Sequence, residues 1–456
     1  MQQLNVELHQ MAKAIKIRKG LDLKLKGKPE QAISEVSNSP YYAIKPSDFP
    51  SLTPKMVVKE GESVKIGSPI FHDKYRELIQ YVSPVSGTIS EVKRGEKRRI
   101  LEVIIKADSE FSSETIDTSG DTKEVILKSG LWPFIKQRPL DIVADYNQTP
   151  KAIFVSGFDS SPLAPDYEFL LKDKKEALQA GFDALQKLTN GKVNVTIENS
   201  TKSTSVFGSI NGIELHTINS KHPAGNVGTQ IHQIDPINKG ESVWTVNAID
   251  VARIGNLFLS GKVDFSKTIA LTGSEVESPS YYKLIGGASL TNLVEKKIVS
   301  DNVRYISGNV LVGTNVGKDG FLGFYDNQVT VIPEGDHYKV SFTEGWLAPG
   351  LNKLSNSKAF LSALLPKKAY DVDTNLNGEE RAFVVSGQYE EVFPFDIYPV
   401  QLLKAAITND IDKMEKLGIY EVAPEDFALC EFVCTSKINS QQIIRDGLKV
   451  IEEECM

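Results

Sequence analysis

The stretch Lys151-Ala152-Ile153-Phe154-Val155-Ser156-Gly157 opens the segment that dictates the architecture, which continues to about Gly261. An apolar run closed by Ser and Gly is typical of a buried parallel strand that enters a loop. A helical pattern follows from Tyr167 to Leu188. Further strand patterns lie at Val193–Ile197, at Ile213–Ile218, at Val243–Val246 with a helix through Leu259, and at Thr268–Leu271. Because strands that alternate with helices favour a parallel sheet covered by helices, we predict a Rossmann-like parallel α/β domain over residues 108–273.

Two loops of this domain should meet at the carboxyl ends of its strands, where open parallel sheets bind ligands. They are residues 157–165 and the run His222-Pro223-Ala224-Gly225-Asn226-Val227-Gly228. Neither loop contains the G-x-G-x-x-G motif that lets bare backbone approach the phosphates of a dinucleotide. We therefore expect a ligand site without tight dinucleotide binding, and we name Phe158, His222 and Gly225 as candidate ligand-binding residues.

Length and composition indicate an ordinary multidomain globular protein. The 456 residues suffice for roughly three or four domains. The formal net charge of −7 argues against non-specific binding of nucleic acid, which needs clustered Lys and Arg. No stretch approaches the roughly 18 uninterrupted apolar residues of a membrane span, and the start lacks the layout of a secretory signal. Three cysteines, at positions 430, 434 and 455, predict a reducing compartment, so we expect a cytoplasmic protein.

The first hundred residues predict a β domain behind a short extension. Residues 1–14 show no clear pattern and are predicted to be an N-terminal extension. From Ile15 to Leu25 apolar and charged residues alternate, which is typical of strands with one buried face. We place the N-terminal β domain at residues 15–107.

Part of this β domain resembles the biotinyl/lipoyl half-barrel. Its glycine-containing turns lie in Val57–Ile70, and a matching strand follows in Ser83–Ile89. Glycine supplies the positive φ that such turns need. In carrier domains the intervening hairpin presents a modifiable lysine, and Lys74 occupies that place here without flanking methionines. We prefer a structural half-barrel, and a carrier protein modified at Lys74 is the alternative.

The last third of the chain predicts two further units. Tyr281–Leu293 reads as a strand, a glycine-rich turn and a helix capped by Ser289. Additional strand patterns lie at Val303–Ile306, Val310–Gly313 and Gln328–Pro333. This combination predicts a β-grasp module over residues 274–365 and leaves a helical domain at 366–456, where Val400–Leu417 and Ser440–Glu453 carry the clearest helical patterns.

The motifs for cluster or metal binding are incomplete. A [4Fe–4S] cluster needs four thiolates, whereas Cys430-x₃-Cys434 offers two and Cys455 is remote. The run from Asp371 to Gly378 superficially resembles a calcium loop but lacks the glycine and glutamate that the sixth and twelfth positions require. The six histidines show no zinc-ligand spacing. We expect no flavin, iron–sulfur cluster or metal to be bound by this chain.

Four longer motifs together resemble the A subunits of bacterial sodium-translocating NADH:quinone reductases. They are Ile15-Lys16-Ile17-Arg18-Lys19-Gly20-Leu21-Asp22-Leu23, the run from Ser129 to Pro139 (SGLWPFIKQRP), the run from His222 to His232 (HPAGNVGTQIH) and the run from Asp373 to Phe383 (DTNLNGEERAF). The resemblance covers the chain from about Ile15 onward. That family is related to the C subunit of the Rnf complex and to the flavoprotein subunit of respiratory complex I.

The resemblance implies a fold inherited from an electron-transfer flavoprotein whose cofactors were lost. In the flavoprotein relatives a glycine-rich loop holds FMN and NADH, and here Trp132, Phe134 and Arg138 would fill the corresponding place. The β-grasp module would be the family's soluble-ligand-binding β-grasp (SLBB) domain. The remaining cysteines, Cys430 and Cys434, would be the remnant of a ferredoxin-like motif.

The resemblance also implies a function. We expect a peripheral subunit on the cytoplasmic face of the bacterial inner membrane, docked on membrane-embedded and other subunits of the pump. The complex, a respiratory-chain translocase, uses NADH, flavins, iron–sulfur centres and quinone, whereas the isolated chain is expected not to be catalytic. A quinone site in this protein would be lined by Phe158, His222 and Gly225 or by the C-terminal aromatics Phe393, Phe395 and Tyr398. A stand-alone flavin-dependent NADH dehydrogenase is the alternative from another class.

Overall fold

The structure is a computed structural model that describes residues 13–336, 348–356 and 359–455. Most of the predicted extension, residues 1–14, and part of the predicted module at 274–365 therefore lie outside the described residues. The strands are β1 Lys13–Ile15, β2 Ile33–Ser34, β3 Tyr41–Ile44, β4 Pro54–Met56, β5 Ser63–Val64, β6 Pro69–Asp73, β7 Gln80–Val82, β8 Gly87–Arg94, β9 Ile100–Ala107, β10 Lys136–Arg138, β11 Ile142–Val143, β12 Ile153–Ser156, β13 Val193–Glu198, β14 Glu214–Ile218, β15 Val243–Asn247, β16 Ser266–Thr272, β17 Ser280–Ile285, β18 Val303–Ser307, β19 Thr314–Asn315 and β20 Gln328–Pro333. The helices are α1 Thr122–Lys128, α2 Tyr167–Leu171, α3 Lys175–Gln186, α4 Val227–Ile234, α5 Ala248–Ser260, α6 Thr291–Val294, α7 Gln388–Val392, α8 Pro399–Ile407, α9 Ile411–Lys416, α10 Ala428–Val433 and α11 Ser440–Cys455.

The predicted parallel α/β domain is built on a seven-stranded sheet with the order β1-β14-β13-β12-β15-β10-β11. The central strand, β12, is parallel to both β13 and β15. Its apolar side chains are at most 1% exposed, as the unbroken apolar run predicts for a strand covered on both faces. The chain moves outward from β12 to β14 and then returns to the other side of β12 as β15, so the direction of winding reverses between β12 and β15.

Three details of this domain differ from the sequence prediction. The sheet is not wholly parallel, because β10 is antiparallel to both β15 and β11. The helix predicted from Tyr167 to Leu188 is divided into α2 and α3 by the charged run at 172–174, which offers no apolar side chain to the core. The strand predicted at Thr268–Leu271 exists as β16 but pairs with β17 and β20 in another sheet. Periodicity identifies a strand without identifying its neighbours, because pairing partners are far away in sequence.

The predicted half-barrel is confirmed by two small antiparallel sheets, β3-β9-β8-β5 and β4-β6-β7. Gly61 and Gly67 have φ values of 85° and 91°, so the turns need the positive φ that their glycines allow. Lys74 is exposed in the turn between β6 and β7, and its ammonium group lies 5.3 Å from the centroid of the Tyr75 ring. Four of the apolar residues in the next segment, Ile15, Ile17, Leu23 and Leu25, are buried as predicted, and Leu21 is half-buried. The prediction of strands up to Leu25 is wrong, because β1 ends at Ile15.

The predicted β-grasp module contains a six-stranded sheet with the order β19-β18-β20-β16-β17-β2. The prediction of a strand at Val310–Gly313 is wrong. The Asn309 side chain accepts hydrogen bonds from the backbone N–H groups of Leu311 (2.8 Å) and Val312 (3.1 Å), which makes a turn. Asparagine side chains commonly stabilise turns in this way. The strand β19 begins only at Thr314.

The C-terminal unit is helical, as predicted, and packs α7 to α11 around its own apolar core. The pattern from Val400 to Leu417 forms two helices, α8 and α9, because Asn409 adopts a φ of 52° and Asp410 caps α9. Cys430 and Cys434 are 0% and 3% exposed in this core, where free cysteine behaves as a small apolar residue. Burial raises the pKa of the Cys430 thiol well above its usual range.

A buried ionic cluster joins the helical unit to the α/β sheet. Arg138 at the end of β10 is 1% exposed, and its guanidinium lies 3.1 Å from a carboxylate oxygen of Asp426 and 2.6 Å from one of Glu425. A carboxylate oxygen of Asp141 lies 3.0 Å from the guanidinium of Arg445 in α11. Burial alone would lower the pKa of Arg138, but the surrounding carboxylates, led by Asp426, raise it. The guanidinium therefore stays charged and compensates carboxylates from a different unit.

We predict that Arg138→Met lowers the free energy of unfolding by roughly 3–5 kcal/mol, because it leaves buried carboxylates without a counter-charge. Urea unfolding followed by circular dichroism measures this change. The control is Lys128→Met, since the Lys128–Glu124 pair is 72% and 64% exposed and such surface pairs contribute less than about 1 kcal/mol. Equal losses in the two variants would contradict the role given to Arg138.

Candidate functional site

A cavity of about 230 Å³ lies at the carboxyl edge of the parallel sheet. It lies where the winding reverses, because Ser156 of β12 and Asn247 of β15 are directly opposite each other and both line it. Such reversal points are the usual ligand sites of open α/β sheets. The walls come from all parts of the α/β domain and from two other units, and they include Phe134, Lys136, Arg138, Phe158, Asp159, Ser161, Tyr167, His222, Gly225, Asn226, Thr245, Asp250, Asn309, Leu311, Tyr325 and Glu425.

The two loops singled out from the sequence are in contact at this cavity. Ser160 accepts a hydrogen bond from the backbone N–H of Gly225 at 2.8 Å and is 3.0 Å from Nδ1 of His222. A Cβ atom at Gly225 would lie 2.4 Å from the backbone nitrogen of Ser160. Only glycine therefore allows the loops to approach this closely.

His222 is held by the N-terminal segment as well as by Ser160. Its backbone N–H donates to the side chain of Asp22 at 2.8 Å, and its carbonyl accepts from the N–H of Leu21 at 2.9 Å. The residue is 4% exposed, and burial lowers the pKa of its imidazole to about 4. The ring is therefore neutral at physiological pH. Within the described ranges, Nδ1 is the ring nitrogen with a hydrogen bond, which leaves Nε2 for a ligand.

Phe158 and its neighbours form one side of the cavity. Phe158 is half-buried against a small apolar cluster of Ile15, Ile17, Ile218 and Ala224. Asp159 accepts a hydrogen bond from the backbone N–H of Ser161 at 2.7 Å, and burial raises the pKa of its carboxyl. The hydroxyl of Ser161 is buried beside the carboxyl of Asp159 and lowers the pKa of that group against the effect of burial, but it makes no hydrogen bond of ordinary geometry in the described part of the chain. A ligand with a polar atom can satisfy this hydroxyl.

The opposite side of the cavity is lined by polar side chains and aromatic rings. The amide of Asn247 donates to the Tyr167 hydroxyl at 2.7 Å, and its oxygen accepts from the N–H of Ile249, which caps α5. Burial raises the pKa of Tyr167. The ammonium group of Lys136 lies 4.5 Å from the centroid of the Tyr325 ring. The lining therefore combines aromatic, polar and charged side chains, and the charges of Lys136, Arg138 and Asp250 are paired with groups of opposite sign.

Several cavity residues were missed from the sequence. Asn247 follows a predicted strand, and the reversal-point rule alone would have identified it. Tyr167 stands at the start of a predicted helix without any motif that indicates a site. Tyr325 and Glu425 belong to other units, and no local signal connects them with the crevice.

The C-terminal aromatics predicted as alternative ligand residues lie elsewhere. Phe393 and Phe395 are each 1% exposed in the helical core, and their rings stack with centroids 4.7 Å apart. Tyr398 is 68% exposed just before α8. The structure thus brings Phe158, His222 and Gly225 together and separates them from these three aromatic residues.

The residues expected to stand where flavoprotein relatives have a phosphate-binding loop are buried. Trp132, Phe134 and Arg138 are 0%, 3% and 1% exposed. The indole N–H of Trp132 donates to the carbonyl of Ala144 at 2.8 Å. In the residues that the structure describes, no group of three or more His, Cys, Asp or Glu side chains could hold a metal ion. None of the helices within the described ranges is both long and apolar enough to cross a membrane.

Comparisons with known families match three parts of the chain. Residues 15–108 match the NqrA N-terminal barrel-sandwich hybrid domain, residues 118–263 match the NqrA second alpha/beta domain, and residues 268–318 match the NQRA C-terminal domain. The second match contains both loops of the cavity.

Curated relatives match over nearly the whole chain, and three of them are A subunits of Na(+)-translocating NADH-quinone reductases. The relative from Alcanivorax borkumensis is 38% identical over 96% of this chain and 100% of its own length. Those of Hahella chejuensis and Vibrio vulnificus are 39% and 37% identical, again over 96% of this chain and 100% of their own. Among solved structures, a chain of the air-oxidized NAD+-reducing [NiFe]-hydrogenase aligns with 68% of this chain and 55% of its own, at 10% identity and a TM-score of 0.33, which is too weak a likeness to support an argument. The chain therefore belongs to the family of Na(+)-translocating NADH-quinone reductase A subunits.

Proposed function

We propose that this chain is a peripheral subunit of the sodium-translocating NADH:quinone reductase and that its cavity binds the ring of a quinone. The complex oxidises NADH, reduces ubiquinone or menaquinone and exports sodium. The chain would lie on the cytoplasmic face of the inner membrane, in contact with membrane-embedded and other subunits. The observation that carries the quinone assignment is the cavity itself, where the aromatic side chains of Phe134, Phe158 and Tyr325 lie at the ligand-binding edge of the sheet together with the buried hydroxyl of Ser161, which makes no hydrogen bond of ordinary geometry among the described residues.

The cavity suits a small neutral ring. Its volume of about 230 Å³ is below the roughly 300–1,000 Å³ typical of pockets for drug-sized ligands. A quinone ring needs flat apolar walls and polar groups near its two carbonyl oxygens. Phe158 and Tyr325 supply aromatic surface, and the hydroxyl of Ser161, which lies beside the Asp159 carboxyl, would turn to donate to a ligand. The neutral His222 adds a second polar group without introducing a charge.

The residues present do not fit a flavin nucleotide or an iron–sulfur cluster, so we propose that this chain carries neither. The place expected for a phosphate cradle is occupied by the buried side chains of Trp132 and Arg138. A bound phosphate would have to displace Arg138 from Asp426. The two closely spaced cysteines are part of the apolar core, and the third, Cys455, is exposed at the end of α11. The chain's part in the reaction would be to bind and position quinone for electrons supplied by other subunits.

Calorimetric titration of the full chain with ubiquinone-1 or menadione tests the quinone site. We expect saturable heat, and we expect Phe158→Ala or His222→Asn to weaken binding about tenfold, equivalent to about 1.4 kcal/mol. Phe111→Ala is the control, because Phe111 is 37% exposed and does not line the cavity. The absence of saturable heat from the wild-type chain, or equal weakening by the control, would refute the site.

The stability of the chain should depend on pH through His222. The folded state lowers the pKa of this residue from 6.5 to about 4, so between these values the unfolded chain binds more protons and stability falls as pH falls. From pH 7 to pH 5 this effect amounts to about 2 kcal/mol. The variant His222→Asn cannot take up this proton and should lose less stability over the same range.

Urea unfolding at pH 7, 6 and 5 measures the difference between the two proteins. Both contain the same carboxylates, so their other pH dependence cancels in the comparison. Parallel pH profiles would show that His222 is not kept neutral by burial.

A further inference from the structure

One exposed turn shows an inverted burial pattern. In the single helical turn Leu361–Leu364, Ser362 is 2% exposed whereas Leu361 and Leu364 are 50% and 76% exposed. Leu365 and Leu351 beside it are 43% and 51% exposed. We call these four leucines the leucine turn. Folding normally buries leucine and exposes serine, so contiguous leucines on a surface indicate that something else covers them.

Hydrogen bonds to the backbone fix the position of the leucine turn on the protein. The Tyr370 hydroxyl donates to the carbonyl of Ser362 at 3.1 Å, and Tyr370 is 7% exposed. The N–H of Leu365 donates to the same carbonyl at 2.9 Å, and the N–H of Leu361 donates to the carbonyl of Pro349 at 3.1 Å. The leucines therefore project from a fixed support.

Lysines flank the leucine turn in sequence, although the protein as a whole is acidic. The sequence from Ala348 to Tyr370 contains lysines and no Asp or Glu, whereas the whole chain has a net charge of −7. Lys367 is exposed next to the leucines, and Lys24 donates to the carbonyl of Pro366 at 2.5 Å. The neighbouring Asp371 is paired with Lys26 at 2.5 Å, which compensates the acidic group closest in sequence.

We propose that the leucine turn docks on an anionic lipid bilayer, with its leucines below the headgroups and its lysines among them. Apolar side chains flanked by lysine match the headgroup boundary of a membrane, where burial of apolar area adds to attraction by anionic lipids. A protein partner fits less well. One turn is small beside the roughly 800 Å² that a stable interface buries on each partner, and interface cores are depleted in lysine.

The proposal rests on the peripheral placement proposed above and is independent of the quinone cavity. It assigns to this chain its own contact with lipid, in addition to its contacts with other subunits. Lys353 and Lys368 would support the contact less directly, because their ammonium groups already lie 5.2 Å and 5.8 Å from the ring centroids of Phe360 and Tyr370.

Co-sedimentation of the full chain with vesicles tests the proposal. Vesicles of phosphatidylcholine with phosphatidylglycerol should bind the chain, vesicles of phosphatidylcholine alone should bind it far less, and added salt should weaken binding. The double variant Leu361→Ser/Leu364→Ser should reduce partitioning by at least about tenfold, because two leucines no longer enter the membrane. Lys367→Glu should also weaken binding to the anionic vesicles.

The control is Leu259→Ser/Val299→Ser, which removes two apolar side chains that are 60% and 67% exposed outside the turn. It should bind vesicles like the wild-type chain, and both double variants should keep the wild-type melting temperature. Equal binding by the two double variants, or no preference for anionic vesicles, would overturn the proposal.

A second measurement separates failure of this inference from failure of the proposed function. The wild-type and variant chains are followed during purification of the assembled complex. The wild-type chain could fail to bind vesicles but remain in the complex, while the double leucine variant is lost from the complex. This result would show that a protein covers the leucine turn, and it would overturn the lipid assignment alone. A wild-type chain that is absent from the complex refutes the peripheral placement instead.

Discussion

The buried guanidinium of Arg138 holds the units of the molecule together. It extends from β10 of the α/β sheet to Glu425 and Asp426 of the helical unit. The carboxylate of Asp426 also accepts a hydrogen bond from the backbone N–H of Ala423 at 2.8 Å. This carboxylate occupies the space that a side chain at Gly228 of α4 would need. A charge removed from water must be compensated nearby. The helical unit is therefore kept at one position against the sheet.

That position completes the cavity. The α/β sheet alone provides an open edge between β12 and β15, with Ser156 and Asn247 on either side. Glu425 from the helical unit, with Tyr325 and Leu311 from the six-stranded unit, encloses this edge. The N-terminal segment contributes through Asp22, which fixes the backbone of His222. The site is thus formed by several units of the chain, although its two central loops belong to one domain.

Packed side chains occupy two places where the resemblance to flavoproteins led us to look for cofactor-binding groups. Trp132 and Phe134 fill the segment before the sheet, and Cys430 and Cys434 pack in the helical core. Buried polar atoms without a hydrogen-bond partner among the described residues occur in several units, and those of Arg138 and Ser161 lie at the cavity. The leucine turn shows the opposite arrangement, because four leucines near one another are exposed in the described part of the chain.

Local sequence was enough to define most strands and helices, because apolar periodicity and turn residues act over a few neighbours. Ile153–Val155, the glycines of the half-barrel and the final helix are of this kind. It also indicated that Gly157–Pro165 and His222–Gly228 would meet, since the carboxyl ends of parallel strands share one edge. Packing in three dimensions was needed to establish that β16 joins the six-stranded sheet, that Phe393 and Phe395 are core residues, and that Tyr325 and Glu425 reach the cavity. These outcomes depend on contacts between segments far apart in sequence, where the compensation of buried charge and the filling of space select the partner and no local pattern records the choice.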